Sequence, residues 1–235
     1  MSYVEYEKAQ KLGLKAFRNA VSKGENEYLP VLDEILEDVD IVGEMSLGIV
    51  QIPLDRIVGT SNVGRTYAFA NNFMPLLDYK TEFGAKWSAL CDSQIEEGIR
   101  DPIKVYEYMN KFYVVEGNKR VSVMKYFDAV TIPAQVTRKI PKKTDDLQVK
   151  IYYEFMDFYK ASHLYCIQFR HPGDYARLLS HLGKKSDDIW EESERRTFNA
   201  YFHYFRDAFS ALQVPPEEVL PEEALLLWLD LYPFH

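Results

Sequence analysis

Five consecutive residues, Glu116-Gly117-Asn118-Lys119-Arg120, bring together the groups that hold and neutralise phosphate. A glycine lets backbone approach a phosphate closely, and the N–H groups of Asn118 to Arg120, at a helix start, would point at it. Arg120 suits two parallel hydrogen bonds to phosphate oxygens, and Lys119 a point-charge contact. Glu116, just before the glycine, is placed to hold a divalent cation or to act as a base toward a hydroxyl or water. It is equally a capping acid that balances Lys119 or Arg120. Gly-x-x-Arg by itself is a weak motif, because a glycine commonly ends a strand before a helix.

The elements around this corner are legible in residue types. Lys104-Val105-Tyr106 and Phe112–Val115 are β-branched and aromatic runs, and Met109-Asn110-Lys111 between them supplies a turn. Gly117 breaks the second run, and Val121–Phe127 continues at helical spacing until Asp128. A third strand follows, up to Arg138. Upstream, Phe83, Trp87, Leu90, Cys91 and Ile95 mark an amphipathic helix stopped by Gly98. Gly59–Phe73 is irregular, rich in Gly, Asn, Ser and Thr, and carries one cation, Arg65, that could close over a ligand; a plain surface excursion is the alternative.

Residues 1–45 predict a helical hairpin. Tyr6, Ala9, Leu12, Leu14, Phe17 and Val21 form its first face, and Pro30–Val39 its second arm, before a short strand at Ile49–Ile52. From Lys142 onward the pattern is helical: Leu147–Tyr159, Tyr175–Leu182, a longer helix from a Ser186 cap to about Leu212, and a last helix from Pro221 after the Pro215-Pro216 break. Phe198, Tyr201, Phe205 and Phe209 have helix-core spacing, not that of a base-stacking platform. The expected domains are therefore 1–45, 46–140 and 141–235.

Charge follows the same division. Residues 1–45 carry 5 Lys/Arg against 10 Asp/Glu, residues 46–143 carry 14 against 10, and residues 144–235 carry 9 against 16. A basic centre between acidic flanks would draw an anionic ligand, while the flanks argue against coating long nucleic acid. Arg138, Lys139, Lys142 and Lys143 form a basic cluster that suits either nucleic acid or a solvated linker. The longest apolar run, Ala224–Leu229, is far too short to cross a bilayer, and the N-terminus has no signal-peptide core. Cys91 and Cys166, outside any metal spacing, are expected to be core thiols in a reducing cytoplasm. The five histidines form no HxxxH or HxH pair, so no protein metal centre is expected.

The middle of the chain, about residues 48–138, resembles the ParB/sulfiredoxin superfamily, of which the nucleotide-binding domain of ParB partition proteins is a member. The series is Ile52-Pro53-Leu54-Asp55-Arg56-Ile57, then Arg65, then Ser93-Gln94-Ile95-Glu96-Glu97-Gly98-Ile99. Pro102-Ile103-Lys104-Val105, Val114-Val115-Glu116-Gly117-Asn118-Lys119-Arg120 and Ile132-Pro133-Ala134-Gln135-Val136 complete it. The resemblance implies an α+β fold and a nucleotide at the glycine–arginine corner. Partition proteins of the superfamily bind and slowly hydrolyse CTP, sulfiredoxins use ATP on a sulfinic acid, and some relatives phosphorylate free serine. Asn118 stands where sulfiredoxins carry their reactive cysteine. The Glu-Asn-x-x-Arg segment that completes the partition proteins' CTP site has no counterpart here, nor does a helix-turn-helix.

The sequence thus leads to an α+β protein, a small mixed sheet with helices between helical flanks. Its expected ligand is a nucleoside triphosphate, CTP or ATP, with Mg²⁺, held by Arg65, Gly117, Asn118, Lys119 and Arg120, with Glu116 as the catalytic candidate. An NTPase, a small-molecule kinase and a non-catalytic regulatory or DNA-associated module all remain open. The helical flanks are candidates for a second copy or a protein partner.

Overall fold

A computed structural model of the chain describes residues 2–214 and 218–232. These form two compact units, residues 1–142 and 143–235.

The first unit is α+β. Helices α1 (Ser2–Lys23), α2 (Leu32–Ile35), α3 (Glu82–Glu96) and α4 (Asn118–Tyr126) accompany strands β1 (Ile41–Pro53), β2 (Ile57–Thr60), β3 (Ile103–Tyr108), β4 (Lys111–Glu116) and β5 (Thr131–Pro141). The sheet runs β1-β5-β3-β4-β2. Neighbours are antiparallel, parallel, antiparallel and parallel in that order. Met109 and Asn110, at φ of 49° and 62°, make the tight hairpin turn between β3 and β4. The Asn110 N–H donates to Glu107 Oε1 at 2.9 Å, and the other Glu107 oxygen pairs with Arg138 of β5, both side chains buried.

Two parallel partners explain where a site can form. Because β2 runs beside β4 in the same direction, the loop after Thr60 and the turn after Glu116 leave the sheet at the same end. Thr60 Oγ1 and Ser61 N–H both donate to the Val114 carbonyl, at 3.1 and 2.9 Å, and tie the two exits together. The entry to β3, antiparallel to β4, arrives at that end as well.

The helical hairpin expected over residues 1–45 is replaced by something else. α1 is present, but its buried face, Tyr6 and Ala9, packs on Trp87 and Cys91 of α3 and Val123 of α4. Residues 32–35 make a single turn, and β1 begins at Ile41. Gly43 and Gly48 fall at irregularities in the long β1–β5 pairing, Gly48 with φ of 72°.

The second unit is all α among its described residues: α5 (Leu147–Ser162), α6 (Asp174–His181), α7 (Glu192–Ser210) and α8 (Pro221–Leu231). Asp146 caps α5 by accepting from the N–H groups of Gln148 and Val149 at 2.8 and 3.1 Å. Its core is aromatic, with Phe155, Phe158, Tyr175, Trp190, Phe198 and Phe202 all buried. Arg170 grips Glu223 through two hydrogen bonds of 2.8 and 2.6 Å. The Phe198–Phe209 stripe divides: Phe198 is core, whereas Tyr201, Phe205 and Phe209 line an open groove. The Ser186 cap also moves, since α7 starts at Glu192. The Pro215-Pro216 break lies outside the described residues. No helix among them is long and apolar enough to cross a membrane.

Candidate functional site

At the common end of the sheet, Gly117 holds φ of 111° and ψ of 20°, a left-handed conformation that an L side chain rarely adopts. A Cβ there would lie 2.5 Å from Ile103 Cγ2. Gly117 is therefore fixed twice over, by its own backbone and by the approach of β3. It also has no side chain with which to cap α4, whose N-terminus opens at the corner.

A cavity of about 210 Å³ lies over this corner. Val115, Glu116, Gly117, Asn118, Lys119 and Arg120 wall it on one side, and Ala68, Phe69, Phe83 and Leu90 on the other. A second cavity of about 360 Å³ adjoins it, sharing Ala68, Phe83 and Lys119 and adding Gly64, Tyr67, Leu77, Glu82 and Lys86. The irregular 59–73 segment and the glycine corner thus meet, as their shared sheet end requires. Residues 63–68 form a 3-10 turn started by Asn62, whose Oδ1 accepts from the Gly64 N–H at 3.2 Å. The Arg65 side chain lies outside the described residues.

Each predicted side chain has a definite setting. Lys119 Nζ sits 4.8 Å from the centre of the Phe83 ring, at the junction of the two cavities. Asn118 is buried at 8% exposure, and its Oδ1 has no hydrogen-bond partner. Arg120 turns inward: Nη1 donates to the carbonyls of Asp101 and Pro102 at 3.0 and 2.8 Å, and Nη2 is 3.8 Å from Glu116. Its guanidinium fastens the corner to the entry of β3 while still lining the cavity. Glu116, with its side chain 58% exposed, accepts an ion pair from Lys104 Nζ at 2.8 Å. The hydrogen bond and charge of Lys104, with help from Arg120, hold the Glu116 carboxyl below the usual carboxylate range. It is an anion at neutral pH, fit for a cation and a weak base.

Residue patterns alone missed Phe83, Lys86 and Tyr67 as cavity walls. The one signal available was the Glu82/Lys86 pair at i,i+4, which the structure closes at 2.5 Å. The basic cluster at the end of β5 and just beyond it is taken up by partners. Arg138 pairs with Glu107, Lys139 with Glu44, Lys142 with Asp40, and Lys143 lies over the Tyr153 ring. Burial pushes the Cys91 thiol up to about 11, which removes it as a nucleophile at neutral pH. Among the described residues no three His, Cys, Asp or Glu side chains cluster as metal ligands.

No family model and no curated protein matches the chain. Two solved structures resemble it in part. One is sulfiredoxin from Arabidopsis thaliana, at 24% identity and a TM-score of 0.26, over 37% of this chain and 82% of that one. The other is the C-terminally truncated chromosome-partitioning protein ParB from Caulobacter crescentus complexed with CTP-γ-S, at 16% identity and a TM-score of 0.26, over 57% of this chain and 79% of that one. At these identities and scores neither assigns a family or a ligand to the chain.

Proposed function

We propose that the first unit binds a nucleoside triphosphate, CTP or ATP, as its Mg²⁺ complex, with the phosphates over Gly117–Arg120. The observation that carries this reading is the cavity over an uncapped helix start, with Lys119 at its junction with a second cavity and the buried Asn118 carbonyl oxygen unpaired. The helix terminus and Lys119 supply positive potential to the phosphates. Asn118 Oδ1 accepts a hydrogen bond from a ligand hydroxyl or a bound water. The second cavity has room for the sugar and base. Arg120 is a positioning residue that keeps the corner in place, and Arg65 is the candidate to close over the ligand.

Glu116 and the phosphates form a sufficient donor set for Mg²⁺, which ordinarily takes one or two carboxylates beside substrate oxygens and water. When bound, the ion would neutralise charge on the transferring phosphate. The residues do the rest by holding the ligand in place.

A second reading is a non-catalytic regulatory module that binds the same ligand without turnover. The Lys104–Glu116 pair favours it, because a carboxylate held below its usual range is a poor base. Calorimetry with Mg²⁺ and CTP, ATP or GTP tests the shared claim: one triphosphate binds, and Lys119→Ala weakens it about tenfold or more. No heat with any of the three overturns it. Phosphate release then separates the two readings, and a gel shift at low salt settles whether DNA is a further ligand.

A further inference from the structure

We propose that Tyr67 stacks on the base of the bound triphosphate and that Tyr28 is the positioning residue that holds its ring there. The inference rests on the nucleotide reading above and chooses between its two triphosphates. Tyr67 and Phe83 are the aromatic residues in the wall of the larger cavity, which adjoins the phosphate corner. Phe83 already has Lys119 over its ring and the Phe69 ring 5.1 Å away. Tyr67 is 68% exposed, and the ring packed against it is Tyr28, 5.2 Å away and steeply inclined at 75°. An edge-to-face neighbour fixes a ring while leaving a face free. Any base can lie on such a face, and a purine covers more of it than a pyrimidine, so ATP is favoured over CTP.

Tyr28 is itself anchored. Its ring meets Phe17 of α1 at 5.4 Å, and its backbone bridges Ala70. The segment around it, residues 26–33, clips the Tyr67 loop at both ends. At the entry, the Thr60 N–H donates to the Pro30 carbonyl at 2.9 Å and the Asp33 N–H to the Ser61 carbonyl at 3.1 Å. At the exit, the Asn71 N–H and Nδ2 donate to the carbonyls of Glu27 and Asn26, both at 3.0 Å. With both ends tied to one segment, the loop and Tyr28 form a single frame. Tyr67 takes its orientation from that frame.

Calorimetry with Mg²⁺ compares ATP, CTP and inorganic tripolyphosphate, which has the phosphates and no base. We expect ATP to bind tighter than CTP, and Tyr67→Leu to weaken ATP about tenfold while tripolyphosphate binds as before. Tyr67→Phe should bind ATP like the wild type. Tyr28→Ala should weaken ATP and spare tripolyphosphate, and Tyr28→Phe should restore ATP, a pattern that loss of the fold would not give. In NMR the adenine H2 and H8 signals should move upfield on binding, and move less with Tyr67→Leu. A wild type that binds neither ATP nor tripolyphosphate would overturn the nucleotide reading and this proposal with it. Unchanged ATP binding in Tyr67→Leu, CTP as the tighter ligand, or equal losses of ATP and tripolyphosphate in Tyr28→Ala would overturn this proposal alone.

Discussion

Lys104 Nζ lies 2.8 Å from the Glu116 carboxylate, one residue out of step with the hairpin that carries them both. From the Met109-Asn110 turn the register runs Tyr108 with Lys111, Glu107 with Phe112, Tyr106 with Tyr113 and Val105 with Val114. The next partner would be Val115, but a shift between Lys104 and Val105 brings Glu116 opposite instead. An irregularity at the end of a ladder often re-aims a side chain. Here it gives the acid of the corner a fixed cation.

That pairing makes Glu116 pH-dependent in a stated direction. Its carboxyl is held below the ordinary 4.5, so the pair stabilises the fold above that pH and fades as pH falls through the lowered value. Lys104→Met should raise the Glu116 value toward 4.5 in a carbon-detected NMR titration. Melting temperatures of variant and wild type should differ slightly at pH 7 and converge once pH has fallen below the lowered Glu116 value. An unmoved Glu116 titration would show that Lys104 is not what holds it.

Gly117→Ala should destabilise the first unit by about 1–3 kcal/mol in chemical denaturation, from the left-handed backbone and the contact with Ile103. The two causes can be separated. In the background of Ile103→Ala the steric part shrinks because Cγ2 is gone, while the cost of positive φ stays. A double-mutant cycle should therefore show favourable coupling, and strict additivity would remove the steric explanation.

Lys119 and Arg120 are adjacent cations with different work. Lys119→Ala forfeits a cation–π contact of about 0.5–1 kcal/mol with Phe83 and should leave the fold intact while weakening triphosphate binding. Arg120→Ala leaves the Asp101 and Pro102 carbonyls without their donor and should lower the melting temperature as well as the affinity. Arg120→Lys can still donate from one nitrogen to both carbonyls, but it lacks the second nitrogen that stands 3.8 Å from Glu116, so it should restore stability only in part. If Arg120→Ala melted like the wild type, the inward contacts would carry no weight in solution.

Glu107 and Arg138 bury a charge pair between β3 and β5, with side chains 0% and 3% exposed. Removing one partner strands the other, so Arg138→Met alone should cost about 3–5 kcal/mol. Glu107→Leu together with Arg138→Met should cost much less, since apolar replacement of both members removes the stranded charge. Denaturant midpoints of the single and double variants decide the matter.

Local chemistry in the sequence accounts for much of the fold around the site. The Met109-Asn110 turn, the Gly117 strand break and the Pro221 helix start are each announced by their own residues. What was not legible depends on partners distant in sequence. β1 looks like a short strand because Gly43 and Gly48 interrupt it, yet β5 pairs with it from Ile41 to Pro53. Phe83 belongs to the apolar pattern of α3 and becomes a cavity wall only when Lys119 is laid over it. The inward turn of Arg120 rests on two backbone carbonyls, and no side-chain pattern encodes those. Likewise the aromatic spacing on α7 marks one helix face correctly, but whether that face is covered depends on the length and position of α8.

Asn118 offers the sharpest separation of binding from scaffold. A buried carboxamide oxygen without a partner costs stability, on the order of 1–3 kcal/mol. Asn118→Leu keeps the volume and removes the unpaired oxygen, so the melting temperature should hold or rise. Triphosphate affinity should fall in the same variant, because the ligand hydroxyl or bound water loses its Oδ1 acceptor. Opposite movements of stability and affinity are what a residue retained for a ligand produces. If both fall together, Asn118 is part of the packing of α4, and the polar floor of the cavity has no ligand to serve.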